Sequence, residues 1–203
     1  MASVGDIAVE RHPLQPFLPP CARLLMLGSF PPPRKRWCMD FFYPNYTNQM
    51  WLIFGEVFFG DSQRLVDVER RSFRLPDIQA LLTERGIAIY DTATAVRRLS
   101  GNASDKDLEI VEKTDIAALL ARMPQCRDIV CTGQKSFSVL TDDYGVAVPR
   151  MGECNEFTLA AAAASCEPRR MRLWRMPSSS RAYPMPLPEK AAYYRRMMQA
   201  IGI

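Results

Sequence analysis

The 203-residue chain contains a single histidine, and that scarcity removes the commonest general base from most of the molecule. His12 lies in a Pro-flanked N-terminal segment, so a Ser-His-Asp or Cys-His mechanism has to recruit it from a tail and is not expected. The six cysteines, Cys21, Cys38, Cys126, Cys131, Cys154 and Cys166, include no C-x-x-C pair, which argues against a zinc or iron–sulfur site. No metal and no other cofactor is expected. An even cysteine count permits disulfides, yet the apolar content and the lack of a signal-like start favour reduced, partly buried thiols. No apolar run is long enough to span a bilayer, and Asp6 and Glu10 interrupt the region where a secretory signal needs an unbroken apolar stretch. A cytoplasmic protein without a membrane partner is the expectation. Internal repeats and an evident linker are missing too, so residues 21–203 are expected to form one domain behind a Pro-rich arm over residues 1–20.

The composition that remains is 48% hydrophobic and 24% charged, enough apolar material for a full core at this length. The formal charge of +4 matters only where it clusters, as at Arg34-Lys35-Arg36, Arg169-Arg170-Met171-Arg172 and Arg195-Arg196. Such clusters permit a polyanionic partner without requiring one.

Four short apolar runs each end at a turn or polar residue. Leu24 to Leu27 ends at Gly28-Ser29, Ile87 to Tyr90 at Asp91-Thr92, Ile129 to Cys131 at Thr132-Gly133, and Met171 to Met176 at Pro177-Ser178. Helical patterns lie between them, over Asn48 to Phe59, Pro76 to Arg85, Asp115 to Met123 and Lys135 to Leu140. A last one runs from Pro188 to Ile201. This alternation predicts a mostly parallel sheet covered by helices on both faces. Phe157 to Ala164 reads as a strand or a short helix; its approach to a neighbouring strand candidate across "SCEPRR" favours the strand. In open α/β sheets ligands bind beyond the carboxyl ends of the strands, so the residues after the four runs are expected to share one site edge.

The loop between the first strand and first helix, "GSFPPPRKRWCMDFFYPNYTNQMW", has to cross that edge and carries Phe41, Phe42 and Tyr43 with it. Asn48 falls in the first turn of the helix whose apolar face is Met50, Trp51, Ile53, Phe54, Val57 and Phe58.

Taken in order, "GSFP", "FYPNYTNQMW", "AIYD", "CTGQKSF" and "MPSSSRA" resemble the uracil-DNA glycosylase superfamily, closest to its hypoxanthine-DNA glycosylase type. The likeness spans roughly Leu24 to Arg196, with short motifs whose order carries the specificity. The resemblance implies a three-layer α/β/α sandwich around a central mostly parallel sheet. It implies an enzyme, a DNA glycosylase that flips a deaminated base, uracil or hypoxanthine, from damaged DNA and hydrolyses its N-glycosidic bond. Such an enzyme is expected to be monofunctional, metal-independent and monomeric.

Two positions depart from the commonest pattern of that superfamily. Ser29 stands where many relatives have Asp or Asn, and Met176 where others have His. In the hypoxanthine type the water-positioning role then falls to the Asn three residues before the Trp, which is Asn48. An amide can accept from water and donate to a neighbour without changing charge; the structural alternative is that Asn48 caps its helix. Phe42 or Tyr43 is the expected stacking surface for the flipped base, with Phe41 in the core. Gly28 and Ser29 are expected to let backbone approach the sugar or base.

Asp91, where relatives often place a base-reading Asn, either reads the base or serves a structural role, capping a turn or pairing with Arg97 or Arg98. Lys135 either touches a phosphate or stays solvated. Ser178, Ser179, Ser180 and Arg181 either form a phosphate-positioning loop or a plain serine turn. Asp40 is expected to pair with Arg34 or Arg36 and is otherwise a reserve base. The rival reading is a non-catalytic nucleic-acid-binding module that keeps this fold.

Overall fold

The strands arise where apolar runs are cut short by polar or turn residues, and the helices where apolar residues recur at three- and four-residue spacing. The computed structural model describes residues 7–100, 107–160 and 168–203. In chain order the elements are β1 (Val9–Arg11), β2 (Leu24–Gly28), a 3-10 turn (Arg34–Arg36), α1 (Met50–Phe59), β3 (Val66–Asp67) and β4 (Ser72–Phe73). They continue with α2 (Leu75–Arg85), β5 (Ile87–Asp91), β6 (Ala93–Arg98), β7 (Leu108–Lys113), α3 (Ile116–Ala121) and β8 (Asp128–Cys131). The last are α4 (Gln134–Tyr144), β9 (Cys154–Leu159), β10 (Arg169–Arg175) and α5 (Leu187–Ile201).

The central sheet has the order β5-β2-β8-β10-β9. Its first four strands are parallel, and β9 joins the edge antiparallel to β10. Every residue from Leu24 to Leu27 and from Ile87 to Asp91 is buried, as expected of strands covered on both faces. The chain steps from β2 to β5 on one side, then returns past β2 to build β8 and β10 on the other. A crevice therefore opens at the carboxyl ends of β2 and β8, where connections leave in opposite directions. No helix among the described residues is long and apolar enough to cross a membrane.

The four expected parallel strands and five helices all form, with ends shifted by a few residues, as element boundaries commonly are. α1 buries Met50, Trp51, Ile53 and Phe54, and α5 buries Ala191, Tyr194, Met197 and Met198. The Phe157 stretch is strand to Leu159 and begins earlier, at Cys154; Ala161 to Ala164 and Cys166 lie outside the described residues. Cys126 and Cys131 are buried free thiols pushed up to about 12 by burial, which keeps them protonated and unreactive.

A second sheet, in the order β1-β6-β7, was not among the expected elements. β6 and β7 form an antiparallel pair with a bulge near Ala95, and β1 completes it by pairing Val9 with Arg97 and Arg11 with Ala95. The N-terminal arm is thus stitched into the domain. Phe17 bridges to Ile89 of β5 through two backbone hydrogen bonds, and His12 N–H donates to the Thr94 carbonyl at 2.8 Å.

Candidate active site

A cavity of about 1030 Å³ opens at the crevice between β2 and β8. Its wall takes Gly28 and Ser29 from the end of β2, Asp91 from β5, Thr132 to Gln134 after β8, and Arg175 to Arg181 from the end of β10 onward, except Pro177. The β2–α1 loop supplies the remaining side, including Phe30, Arg36, Phe42, Tyr43 and Asn48. The expected sharing of one edge by four strand ends holds, because parallel strands place all their carboxyl ends together.

Of the site residues singled out in the sequence, Gly28, Ser29, Phe42, Tyr43, Asn48, Asp91, Ser178, Ser179, Ser180 and Arg181 line this one cavity. Lys135 does not: it sits in the first turn of α4, beside Gly133, Gln134 and Phe137, which do. Asp40 is exposed and pairs with Arg34.

Asn48 precedes α1, and its Oδ1 accepts the Met50 N–H at 2.9 Å. One carbonyl lone pair thereby satisfies a first-turn donor of the helix. Phe41 is core as expected, packed edge-on against Phe17 and Phe42. Phe42 is buried as well, touching Phe41 and Tyr90, so only part of its ring faces the cavity. Tyr43 is half-buried and packs edge-on to Trp51. Its φ is 49°, a left-handed backbone that costs a β-carbon-bearing residue about 1–2 kcal/mol. Strain of this kind gathers at ligand clamps.

The 178–181 loop is held from below. Ser180 N–H donates to Ser178 Oγ, Gln49 N–H to the Ser179 carbonyl, and Tyr194 Oη to the Pro177 carbonyl. Lys190, fully buried, donates to Gln49 Oε1 and to the Ser180 carbonyl, each at 2.7 Å, and its ammonium lies over the Tyr183 ring. Burial lowers its pKa from the usual lysine value. The sequence reading missed Lys190. Its signal was a cation in the first turn of a helix, the end where the dipole disfavours positive charge.

Asp91 departs from both structural partners expected of it. Arg97 pairs with Glu109 and Arg98 with Glu10. Asp91 Oδ2 instead meets Nε2 of His12 at 2.8 Å, with the two side chains only 10% and 2% exposed. The single histidine, dismissed as part of a tail, is therefore buried behind the cavity wall. Gly28 also has a reason the sequence did not show: a β-carbon there would lie 2.2 Å from Asp91 Oδ1. The bare α-carbon makes room for the carboxylate.

The basic clusters are largely consumed within the fold. Arg169 caps the Leu120 and Met123 carbonyls, Arg170 pairs with Glu156, and Arg172 with Asp128. Arg195 pairs with Glu56, and Arg196 lies over Tyr193. The cations on the cavity wall are Arg36, Arg175 and Arg181.

Scanned against protein-family models and against curated protein sequences, the chain matches none. Among solved structures it is similar to a solution NMR structure of a "putative Uracil DNA glycosylase" from Methanosarcina acetivorans, with TM-score 0.61 and 18% identity, over 97% of this chain and 100% of that one. At that identity the likeness establishes a shared fold over nearly all of the chain and leaves the activity to be argued from the site.

Proposed function

We propose that the protein is a DNA glycosylase of the hypoxanthine type, a monofunctional, metal-independent hydrolase that releases a flipped deaminated base, uracil or hypoxanthine, from DNA. The observation that carries this reading is the convergence, at one cavity, of Asn48, the Phe42-Tyr43 pair, the serine loop and three arginines. The three-layer α/β/α architecture belongs to the same proposal and is supported by the fold shared with the Methanosarcina protein.

On this reading Arg36, Arg175, Arg181 and the Ser178–Ser180 loop track phosphates while Tyr43 stacks on the extruded base. Stacking on an aromatic is worth about 1–3 kcal/mol per base, comparable to the few kcal/mol that flipping costs. Tyr43's strained backbone is consistent with a ring held where a ligand needs it. Backbone N–H groups at the strand ends offset the charge that develops on the leaving base. Asn48 holds the water against an oxocarbenium-like sugar, with its carbonyl anchored on Met50 N–H so that the amide is pre-aimed.

The second reading, a DNA-binding module without chemistry, is favoured by that same bond, since satisfying the first N–H of α1 is alone a sufficient reason for Asn48. Oligonucleotides bearing uracil, hypoxanthine or xanthine, incubated with the protein and then cleaved by alkali at abasic sites, separate the two. Cleavage at uracil or hypoxanthine, reduced about a hundredfold or more in Asn48→Ala, supports the enzyme. Binding without cleavage establishes the module.

A further inference from the structure

Hydrolysis by water leaves one requirement that Asn48 cannot meet. The attacking oxygen must lose a proton, and an amide takes none at neutral pH. Among the described residues lining the cavity, Asp91 is the only carboxylate. It is not held by an arginine, the usual partner of a structural acid, but by His12, 79 residues away in sequence.

Both ring nitrogens of His12 lie against polar groups. Its Nε2 faces Asp91 Oδ2 at 2.8 Å, while Nδ1 faces both backbone groups of Leu14, the N–H at 3.1 Å and the carbonyl at 2.9 Å. With the carboxylate ionised, Nε2–H donates to it and Nδ1 accepts from Leu14 N–H. When the pair holds one more proton, Nδ1–H donates to the Leu14 carbonyl instead. Both states are fully hydrogen-bonded without movement of the ring, so a buried pair avoids the cost of an orphaned polar atom in either. The rings of Phe30, Phe42 and Tyr90 enclose it.

From this geometry we infer that Asp91 and His12 form the proton acceptor of the site, with Asp91 the catalytic base and His12 the positioning residue that aims it and shares its proton. The inference rests on the glycosylase reading above. In the step, the bond from C1′ to the base nitrogen breaks and its electron pair leaves with the base. The water oxygen bonds to C1′, and the water proton passes to the Asp91–His12 pair. The departing base anion is protonated by solvent. Gly28 is part of the device, because any β-carbon there would occupy the position of Asp91 Oδ1.

The test uses the full chain and the oligonucleotide, uracil- or hypoxanthine-bearing, that wild type processes, under single-turnover conditions. If wild type releases neither base, the glycosylase reading fails and takes this inference with it. If wild type is active, Asp91→Ala is expected to lose about a hundredfold to ten-thousandfold in rate, the usual share of a positioned base. Its affinity for DNA carrying an abasic analogue should change less than about threefold, because a base acting on water adds little to product binding. Added formate should restore part of the Asp91→Ala rate by supplying the missing carboxylate. His12→Gln keeps an N–H donor toward Asp91 yet cannot take up a proton, and is expected to lose about tenfold or more with unchanged melting temperature. His12→Ala should regain rate with imidazole. Should Asp91→Ala fail to fold, as judged by circular dichroism, His12→Gln and the imidazole arm decide. Wild-type rates in Asp91→Ala, or in His12→Gln where Asp91→Ala does not fold, overturn the inference while leaving base release by Asn48 intact. Loss without formate or imidazole rescue also overturns it.

Discussion

Gly28→Ala is the smallest change that tests how the cavity is assembled. Residues 28 and 91 face each other across the β2–β5 register, and the added methyl carbon would lie 2.2 Å from Asp91 Oδ1. The strand backbone at residue 28 is not the obstacle, since its φ lies outside the left-handed region. Asp91 must therefore turn its carboxylate away, and the 2.8 Å contact with His12 Nε2 goes with it. A hydrogen bond to a charged group contributes about 1.5–3 kcal/mol, and its loss here strands a buried imidazole. At about 2–4 °C per kcal/mol for a chain of this size, the melting temperature should fall by about 3–12 °C. The assay is thermal denaturation of wild type, Gly28→Ala, Asp91→Ala and the double variant. Once Asp91 is truncated the clash has no second party, so Gly28→Ala should then cost less than about 0.5 kcal/mol, leaving a coupling of about 1–3 kcal/mol. Equal loss in both backgrounds would refute the reasoning, because it would locate the cost in the strand and not in the carboxylate.

Three other perturbations have signs that follow from the structure. Lys190→Met leaves the Ser180 carbonyl and Gln49 Oε1 without their donor; it should cost about 2–4 kcal/mol by denaturant melting and weaken DNA binding through a loosened serine loop. Cys126 and Cys131 are raised to about 12 when folded, so the folded chain keeps protons that the unfolded chain releases near the ordinary thiol value. Their contribution is complete below that value and is lost as pH rises toward about 12, and Cys131→Ala should flatten the decline in an alkaline stability titration. DNA affinity should depend on salt through Arg36, Arg175 and Arg181; three phosphates at about −0.9 each imply about a fortyfold loss between about 50 and 200 mM. A titration flat in salt would remove the phosphate-tracking role from the cavity.

The edge of the molecule where chemistry is expected was legible in the chain. Leu24 to Gly28 and Ile87 to Asp91 read as buried parallel strands because both faces are covered, which leaves unbroken apolar runs that stop where the strand must stop. α1 and α5 read as helices because their buried residues recur at helical spacing. These are local statements, in which a residue's burial is set by the element it belongs to. The β6–β7 pair escaped because β7 leaves most of its residues half-buried or exposed, so its pattern carries little contrast.

What only the closed structure decided are the pairings between distant residues. Nothing near His12 in the sequence announces Asp91, and nothing near Gly28 announces the carboxylate that its missing side chain admits. Nothing near Lys190 announces that, once α5 packs on α1, its ammonium will meet the Ser180 carbonyl and Gln49 Oε1. The reason is physical. Periodicity records which face of an element turns inward, an average over many residues, whereas a hydrogen bond of 2.8 Å depends on the relative placement of two elements to a fraction of an ångström. The chain alone determined that strand ends, a loop of aromatics and a serine turn would share one edge; tertiary closure decided which of those groups meet, and set His12 against Asp91.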